Sequence, residues 1–381
     1  MNGELSFYIH IPYCVKRCGY CDFNTYTPAE LREGGTLETV SGDYIDAVLT
    51  EIRQARGKTD GVVPSIFFGG GTPSLLPPAD LGRVITEIRS SWELSSDCEI
   101  TLEANPDSVD EAKLQQLRAA GFNRISFGMQ SAVSHVLATL DRTHNPANVE
   151  KAVLAARSAG FDNVSVDLIY GTPGESLADW RTTVESALSL PIDHISAYAL
   201  IIETGTKLAA QIKRGDVASP IDDLVADMYL LIDELAEKSG LSWYELSNWA
   251  KPGFGSRHNI AYWRNANWWG AGPGAHSHLD GVRWWNVKHP TAYKERLAQS
   301  LSPEHDREVL TAEQIATESI MLGIRMREGI KLSALSPAQS ALLAPFHSSG
   351  HLDDEAWSSG AASLTATGRL IADRIVREIL L

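Results

Sequence analysis

The segment YIHIPYCVKRCGYCDF, residues 8–23, places three cysteines within eight positions, at Cys14, Cys18 and Cys21. It continues an alternating stretch, Leu5–Ile11, that reads as a strand. Spacing of C-x3-C-x2-C at a strand end groups soft thiolate donors of the kind that iron–sulfur clusters and zinc take. Three thiolates on a four-iron cube leave one iron without a protein ligand, open to chelation by a small molecule. Lys16 and Arg17 add positive charge, which favours thiolates and an anionic cluster. The competing reading is a structural zinc with His10 as fourth ligand. Zinc sites usually use two close ligand pairs separated by a longer loop, and one compact trio fits that poorly. A disulfide framework would spread its cysteines in pairs through a small secreted chain. Cys98, in the strand-like run Asp97–Glu103, reads as a small buried hydrophobe.

Working outward, short apolar strands alternate with helical patterns up to about residue 200. Strands are predicted at Leu5–Ile11, Ser65–Phe68, Cys98–Glu103, Arg124–Phe127, Asn163–Ile169 and His194–Ala199, and helices at Asp43–Arg56, Pro78–Trp92, Val109–Ala119, Pro146–Ser158 and Leu177–Leu188. Several of these helices end at glycine, as at Gly121 and Gly160. Such alternation implies parallel strands joined by crossover helices. The expected fold class is α/β, a partial (β/α)6 TIM-like barrel with function at the C-terminal strand ends. Leu31–Gly42 reads as a mobile loop. A long amphipathic helix is expected over Ile221–Ser239, with Leu224, Val225, Met228, Leu231, Ile232 and Leu235 on one stripe. Seven of the ten tryptophans fall between Trp243 and Trp285. The expected division is a barrel core over 1–205, a barrel-closing Trp/His-rich extension over 206–300, and a smaller, mainly helical domain over 301–381. Leu370, Ile371, Ile375, Val376, Ile379 and Leu380 give the last helix its apolar face.

Lys and Arg total 33 against 48 Asp and Glu in 381 residues, a net charge of −15. That balance disfavours non-specific nucleic-acid binding and anionic membrane surfaces. No run of eighteen apolar residues predicts a membrane span, and no secretory leader is visible. A cytoplasmic protein is the expectation.

With its flanks Tyr8–Pro12 and Cys21-Asp-Phe-Asn24, the trio resembles the radical-SAM family of oxygen-independent coproporphyrinogen III oxidase-like proteins. The resemblance implies a [4Fe–4S] cluster on Cys14, Cys18 and Cys21, and S-adenosylmethionine (SAM). Ile66-Phe-Phe-Gly-Gly-Gly-Thr-Pro73 runs a strand into three glycines, where backbone N–H groups can approach a carboxylate closely. Alone it is a tight turn; after the trio it resembles the stretch holding the methionine part of SAM, a role carried to Gly70, Gly71 and Thr72. Glu103, Gln130, Arg142 and Asp167 recur at strand ends or in the loops that follow. Singly each reads as a salt bridge or cap; together with Tyr8 they resemble the family's SAM-contacting positions, and Tyr20 and Ala199 match more loosely. The turn Gly171–Gly174 repeats the same chemistry one strand later and is expected to shape the same pocket.

Two departures favour the family's heme-chaperone branch over its oxidases. The oxidase pattern has a fourth cysteine two residues after the third, where Phe23 stands here. It also has an N-terminal extension, whereas only seven residues precede Tyr8 here. Arg257-His258-Asn-Ile-Ala-Tyr262-Trp263 matches the H-N-x-x-Y-W pattern associated with heme binding in that branch. The resemblance implies His258 as heme-iron ligand, with Tyr262 and Trp263 against the macrocycle. His276 and His278 compete for that role, and a histidine paired within the Trp-rich core is the bland alternative. The implied function is heme binding and transfer to an acceptor protein, without oxidase turnover, with an electron donor if the cluster is redox-active. The alternatives are an oxygen-independent coproporphyrinogen III oxidase and another radical-SAM enzyme of this type, such as a methyltransferase.

Overall fold

A computed structural model describes residues 3–31, 37–142 and 144–380, with backbone alone over 37–40. Six strands lie in sequence order and parallel: β1 (Ser6–Ile11), β2 (Val62–Gly70), β3 (Glu93–Ala104), β4 (Arg124–Gln130), β5 (Asn163–Tyr170) and β6 (His194–Ala199). Helices Leu37–Arg56, Pro78–Ser91, Glu111–Ala120, Pro146–Ser158 and Leu177–Leu188 make the crossovers. The helix expected from Asp43 starts earlier, at Leu37, so the loop expected over Leu31–Gly42 is corrected from that point. Leu37, Val40, Tyr44 and Val48 keep helical spacing, which the Ser, Thr and Gly between them obscured. Residues 32–36 lie outside the described residues.

Each strand divides its side chains between two faces. One face is apolar: Phe7, Ile9, Ile66, Phe68, Ile100, Leu102, Ile125, Phe127, Val164 and Val166 are all buried in one core with the crossover helices. Each such side chain contributes about 1.5–3 kcal/mol by leaving water. The opposite face carries Ser6, Tyr8, Ser65, Glu99, Glu103, Arg124, Ser126, Asp167 and His194, and this polar face positions the site. Cys98, on β3, is buried as expected.

The sheet continues on both sides. Beyond β6 come β8 (Asn248–Ala250) and β7 (Ser242–Glu245), both antiparallel to their neighbours. Beyond β1 come β9 (Trp268–Ala271), parallel to it, and then β10 (His276–Leu279), β11 (Val282–Asn286) and β12 (Glu304–Val309), all antiparallel. The long helix runs Asp222–Lys238, with Met228, Leu231 and Ile232 buried. A second core gathers Ile320, Ile324, Leu343, Phe346, Ile375, Val376 and Ile379. It surrounds a two-stranded pair, β13 (Ile330–Lys331) and β14 (Ala361–Ala362). The last helical stretch breaks at Ile371, between Ala366–Leu370 and Ala372–Leu380, and leaves Leu370 38% exposed. Asp233 joins the two cores. It accepts from Arg369 Nη1 and Nη2 at 2.7 and 2.6 Å and from Trp249 Nε1 at 2.8 Å, and the Arg369 guanidinium lies 4.2 Å from the Trp243 ring centre. Among the described residues, no helix is long and apolar enough to cross a membrane.

Candidate functional site

The three thiols follow β1 and are free and partly exposed. The Cys21 N–H donates to the Cys18 carbonyl at 3.3 Å, folding the trio back on itself. Burial pushes the Cys14 thiol up, and that of Cys21 up to about 11. Thr72 Oγ1 lies 3.8 Å from Cys14 Sγ, and Arg142 Nη1 lies 3.6 Å from Cys18 Sγ. His10, the alternative zinc ligand, is used elsewhere: Nε2 is 2.9 Å from the Asn24 carbonyl and Nδ1 is 3.0 Å from the Tyr8 hydroxyl. Among the described residues, no three Cys, His, Asp or Glu side chains converge on a single ion.

The glycine turn after β2 has its amides paired within the chain. The Gly71 N–H donates to Ile11 O at 2.7 Å and Thr72 N–H to Tyr13 O at 2.8 Å, while Gly70 N–H donates to Glu103 Oε2 at 3.1 Å. These three amides are occupied within the chain rather than aimed at a ligand carboxylate. Glycine is needed for close approach: Gly70 sits at φ +110°, and a Cβ on Gly71 would stand 2.5 Å from Tyr13 O. The turn therefore locks β2 to the cysteine segment and brings Thr72 beside Cys14.

Glu103 and Asp167 face the polar side and are partly buried. Burial, then the field of Asp167, raises the Glu103 carboxyl to about 8. Asp167 is also raised by burial, against hydrogen bonds from Ser196 and Ser126; Ser126 Oγ lies 2.9 and 3.0 Å from its two oxygens. Two neighbouring carboxyls with few donors favour a cation beside them. At the end of β4 the register with β5 shifts between Gly128 and Gln130, and Gln130 adopts φ +63°. Such a bulge re-aims a side chain, and a non-glycine residue at positive φ stores strain often found at binding sites. Arg142 Nη2 donates to Gly128 O at 3.0 Å, and its Nε is buried without a partner. Tyr20 packs near Val136, Leu140 and Ile169, and Ala199 ends β6 opposite Tyr170. Gly171, by contrast, packs against Val225 of the long helix.

His258, Tyr262 and Trp263 lie on helix Arg257–Trp263, against the polar face. His258 is 1% exposed and stacks on Phe67 with ring centres 5.0 Å apart. Both of its ring nitrogens are engaged: Nδ1 is 3.0 Å from Ser65 Oγ and Nε2 is 2.9 Å from the Tyr262 hydroxyl. His258 is thus a covered, paired imidazole, the arrangement that the alternative of a histidine paired within the core describes. His278 is also engaged at both nitrogens, with Ala266 O at 2.9 Å and with Gly281 N–H at 3.2 Å. His276 is exposed and stacks on Trp285 with ring centres 5.7 Å apart.

A layer deeper in the polar face was not singled out from sequence. Glu99 accepts from the N–H groups of Arg257 and His258 at 3.1 and 3.2 Å, and from Ser256 Oγ at 3.4 Å. His194 bridges Ser165 Oγ at 2.8 Å and the Tyr244 hydroxyl at 2.8 Å. The available signal was period two: Glu99 precedes Glu103 by four residues, and Ser165 precedes Asp167 by two, on the same strand faces.

A strand-end cysteine trio beside a polar, acid-lined face defines a radical-SAM protein, and residues 8–187 match the Radical SAM superfamily. A heme chaperone HemW from Mycobacterium tuberculosis is 44% identical, covering 100% of this chain and 96% of its own length. HemW from Bacillus subtilis is 36% identical over 85% of this chain and 84% of its own. The chain belongs to the HemW family within that superfamily. Coproporphyrinogen III oxidase (HemN) from Escherichia coli superposes with a TM-score of 0.82 over 99% of this chain and 90% of its own, at 23% identity, a likeness of fold.

Proposed function

We propose that the chain is a heme chaperone that binds a [4Fe–4S] cluster, SAM and heme, and passes heme to an acceptor protein. The observation that carries this is kinship with HemW along the whole chain. The residues present fit the groups involved. Cys14, Cys18 and Cys21 are soft donors, with the Arg142 cation beside Cys18. Glu103 and Asp167 form a partly buried acidic pair suited to the ammonium and sulfonium charges of SAM. Tyr8, Tyr20, Gly70, Gly71, Thr72, Gln130, Arg142 and Ala199 surround them in this reading. Gly70, Gly71 and Thr72 act by locking the cysteine segment, and Gln130 and Arg142 act as polar partners of the ligand. When bound, the cluster and SAM supply one-electron chemistry. The chain's own part is to hold them apart from bulk water and to order the surfaces that receive heme. Heme is assigned to helix Arg257–Trp263, with His258 as ligand and Tyr262 and Trp263 beside the ring. The barrel, its closing extension and the C-terminal helical region are read as units spanning 1–205, 206–300 and 301–381, in the cytoplasm.

The test is anaerobic reconstitution of the full chain. Iron and sulfide at about four each per chain are expected, and are lost in a Cys14→Ser/Cys18→Ser/Cys21→Ser variant. Heme should bind stoichiometrically and move to an apo-hemoprotein. With SAM, reductant and coproporphyrinogen III, no protoporphyrinogen should form; its formation would establish the oxidase reading instead.

A further inference from the structure

Helix Ser134–Thr139 follows β4 and ends at Leu140. The Asp141 N–H donates to Ala138 O at 3.1 Å, and the Arg142 N–H to Leu137 O at 2.9 Å. This paired closure of a helix end needs a left-handed residue after the cap, a place that glycine fills at least cost. Asp141 stands there instead, at φ +57°. A side chain kept where its own backbone conformation is unfavourable points to a use for that side chain.

The Asp141 carboxylate is turned onto the cysteine segment. Its Oδ2 accepts from Lys207 Nζ at 2.6 Å, and its Oδ1 lies 3.5 Å from Lys16 Nζ, which also donates to the Asp141 carbonyl at 3.4 Å. Lys16 lies between Cys14 and Cys18. The same carboxylate packs on Gly19, next to Cys18: a Cβ there would stand 2.9 Å from Oδ2. Gly19 is also held through its carbonyl, which accepts from the Leu208 N–H at 2.9 Å. Lys207 and Leu208 open helix Lys207–Arg214. The hydrogen bond from Lys207 chiefly, with the charges of both lysines, holds the Asp141 carboxyl below its ordinary range. One turn thus sends the Arg142 guanidinium to Cys18 Sγ and the preceding carboxylate to the loop between the thiols.

We infer that Asp141 is a positioning residue for the iron–sulfur cluster: its carboxylate clasps the loop between Cys14 and Cys18 to helix Lys207–Arg214 and so holds the three thiols in the arrangement that takes up iron and sulfide. The inference rests on the cluster reading and adds to it a residue that touches no cysteine sulfur. A single exposed ion pair contributes little. Here two cations from separate segments converge on one carboxylate that is 23% exposed, and a glycine backbone closes against it. The clasp joins the trio, the end of the β4 connection and a helix beyond β6, three segments far apart in sequence.

The experiment uses the full chain, reconstituted anaerobically, and follows release of its iron to a ferrous chelator by absorbance; the urea midpoint of the cluster-free chain is measured beside it. Asp141→Gly removes the carboxylate and relieves the backbone. Iron should leave about fivefold faster, the weight of a strong exposed ion pair, while the urea midpoint stays level or rises. A residue that only supports the fold would lower both, so a midpoint that falls together with iron retention overturns the inference. Lys207→Met should also speed release, and the double variant Asp141→Gly/Lys207→Met should release iron no faster than Asp141→Gly, because the clasp is already gone. Additive effects overturn it. Asp141→Asn tolerates the left-handed turn and lacks the charge, so it decides the matter if Asp141→Gly does not fold; release at the wild-type rate overturns the clasp. Failure of the wild type to take up iron and sulfide overturns the cluster reading itself, which separates the two failures.

Discussion

Glu103 carries the electrostatics of the inferred SAM pocket. With its carboxyl raised to about 8, it holds a proton at neutral pH before a cation arrives. A bound ammonium or sulfonium favours the carboxylate, so SAM binding should expel a proton, and its affinity should rise as pH climbs from 6.5 to 8.5. Calorimetry in buffers of different ionisation enthalpy measures that proton, and a pH-independent affinity with no proton release would refute the assignment. Arg142 makes a second case. Arg142→Ala removes the guanidinium beside Cys18 Sγ, and iron retention through anaerobic gel filtration should fall several-fold, with Arg142→Lys intermediate. Equal retention in all three proteins would remove Arg142 from the cluster's surroundings. The trio was legible in sequence by its spacing, and the acids because each breaks an apolar strand at a place where burial is costly. The particular partners of His258 were not: Ser65 and Tyr262 are ordinary residues, one of them 193 positions away in sequence.

Helix Arg257–Trp263 is only seven residues long, too short to persist without outside support. Ser256 caps it through Asn259 N–H at 3.3 Å, and Glu99 from β3 takes the N–H groups of Arg257 and His258. A carboxylate there satisfies orphan donors and meets the positive end of the helix dipole. Glu99→Ala should therefore cost about 1–3 kcal/mol of stability and raise amide exchange selectively over residues 257–263. Uniform exchange across the chain, or none gained, would show that the helix is held by packing alone. Elements with a buried stripe, such as Pro146–Ser158 and Leu177–Leu188, have the bounds their sequence predicts. Strand β12 was not visible beforehand. Glu304-His-Asp-Arg-Glu-Val309 is almost wholly exposed and pairs through backbone with β11 alone. A charged edge strand has no apolar face to announce it, and its charges discourage further pairing.

Across the whole molecule, buried titratable groups set how stability depends on pH. Glu51 ties helix Leu37–Arg56 to the region after β9: it accepts from Gly272 N–H at 2.9 Å, Asn286 Nδ2 at 2.8 Å and the Tyr293 hydroxyl at 2.5 Å. Burial still outweighs those donors and raises it to about 7. Glu175 is likewise raised to about 7, and Glu103 to about 8. The folded chain keeps these protons while unfolded carboxyls release theirs near pH 4.5, so their contribution is complete below that value and is lost as pH rises through 7 to 8. His10 and His144 are lowered to about 4, and His258 to about 3, all chiefly by burial. Unfolded histidines take up protons below about pH 6.5, so this contribution is present above that value and is lost as pH falls toward 4. Above pH 6.5 only the carboxyls act, and below 4.5 only the histidines, which places the stability maximum between the two. The cluster-free, SAM-free chain should unfold at lower urea concentration at pH 8.5 than at pH 6, and Glu51→Gln should flatten that difference because it no longer titrates. A midpoint that rises from pH 6 to 8.5, or a Glu51→Gln slope equal to the wild type's, would mean that the buried carboxyls are ionised in the native state and that the acid pair already holds its charge before any ligand binds.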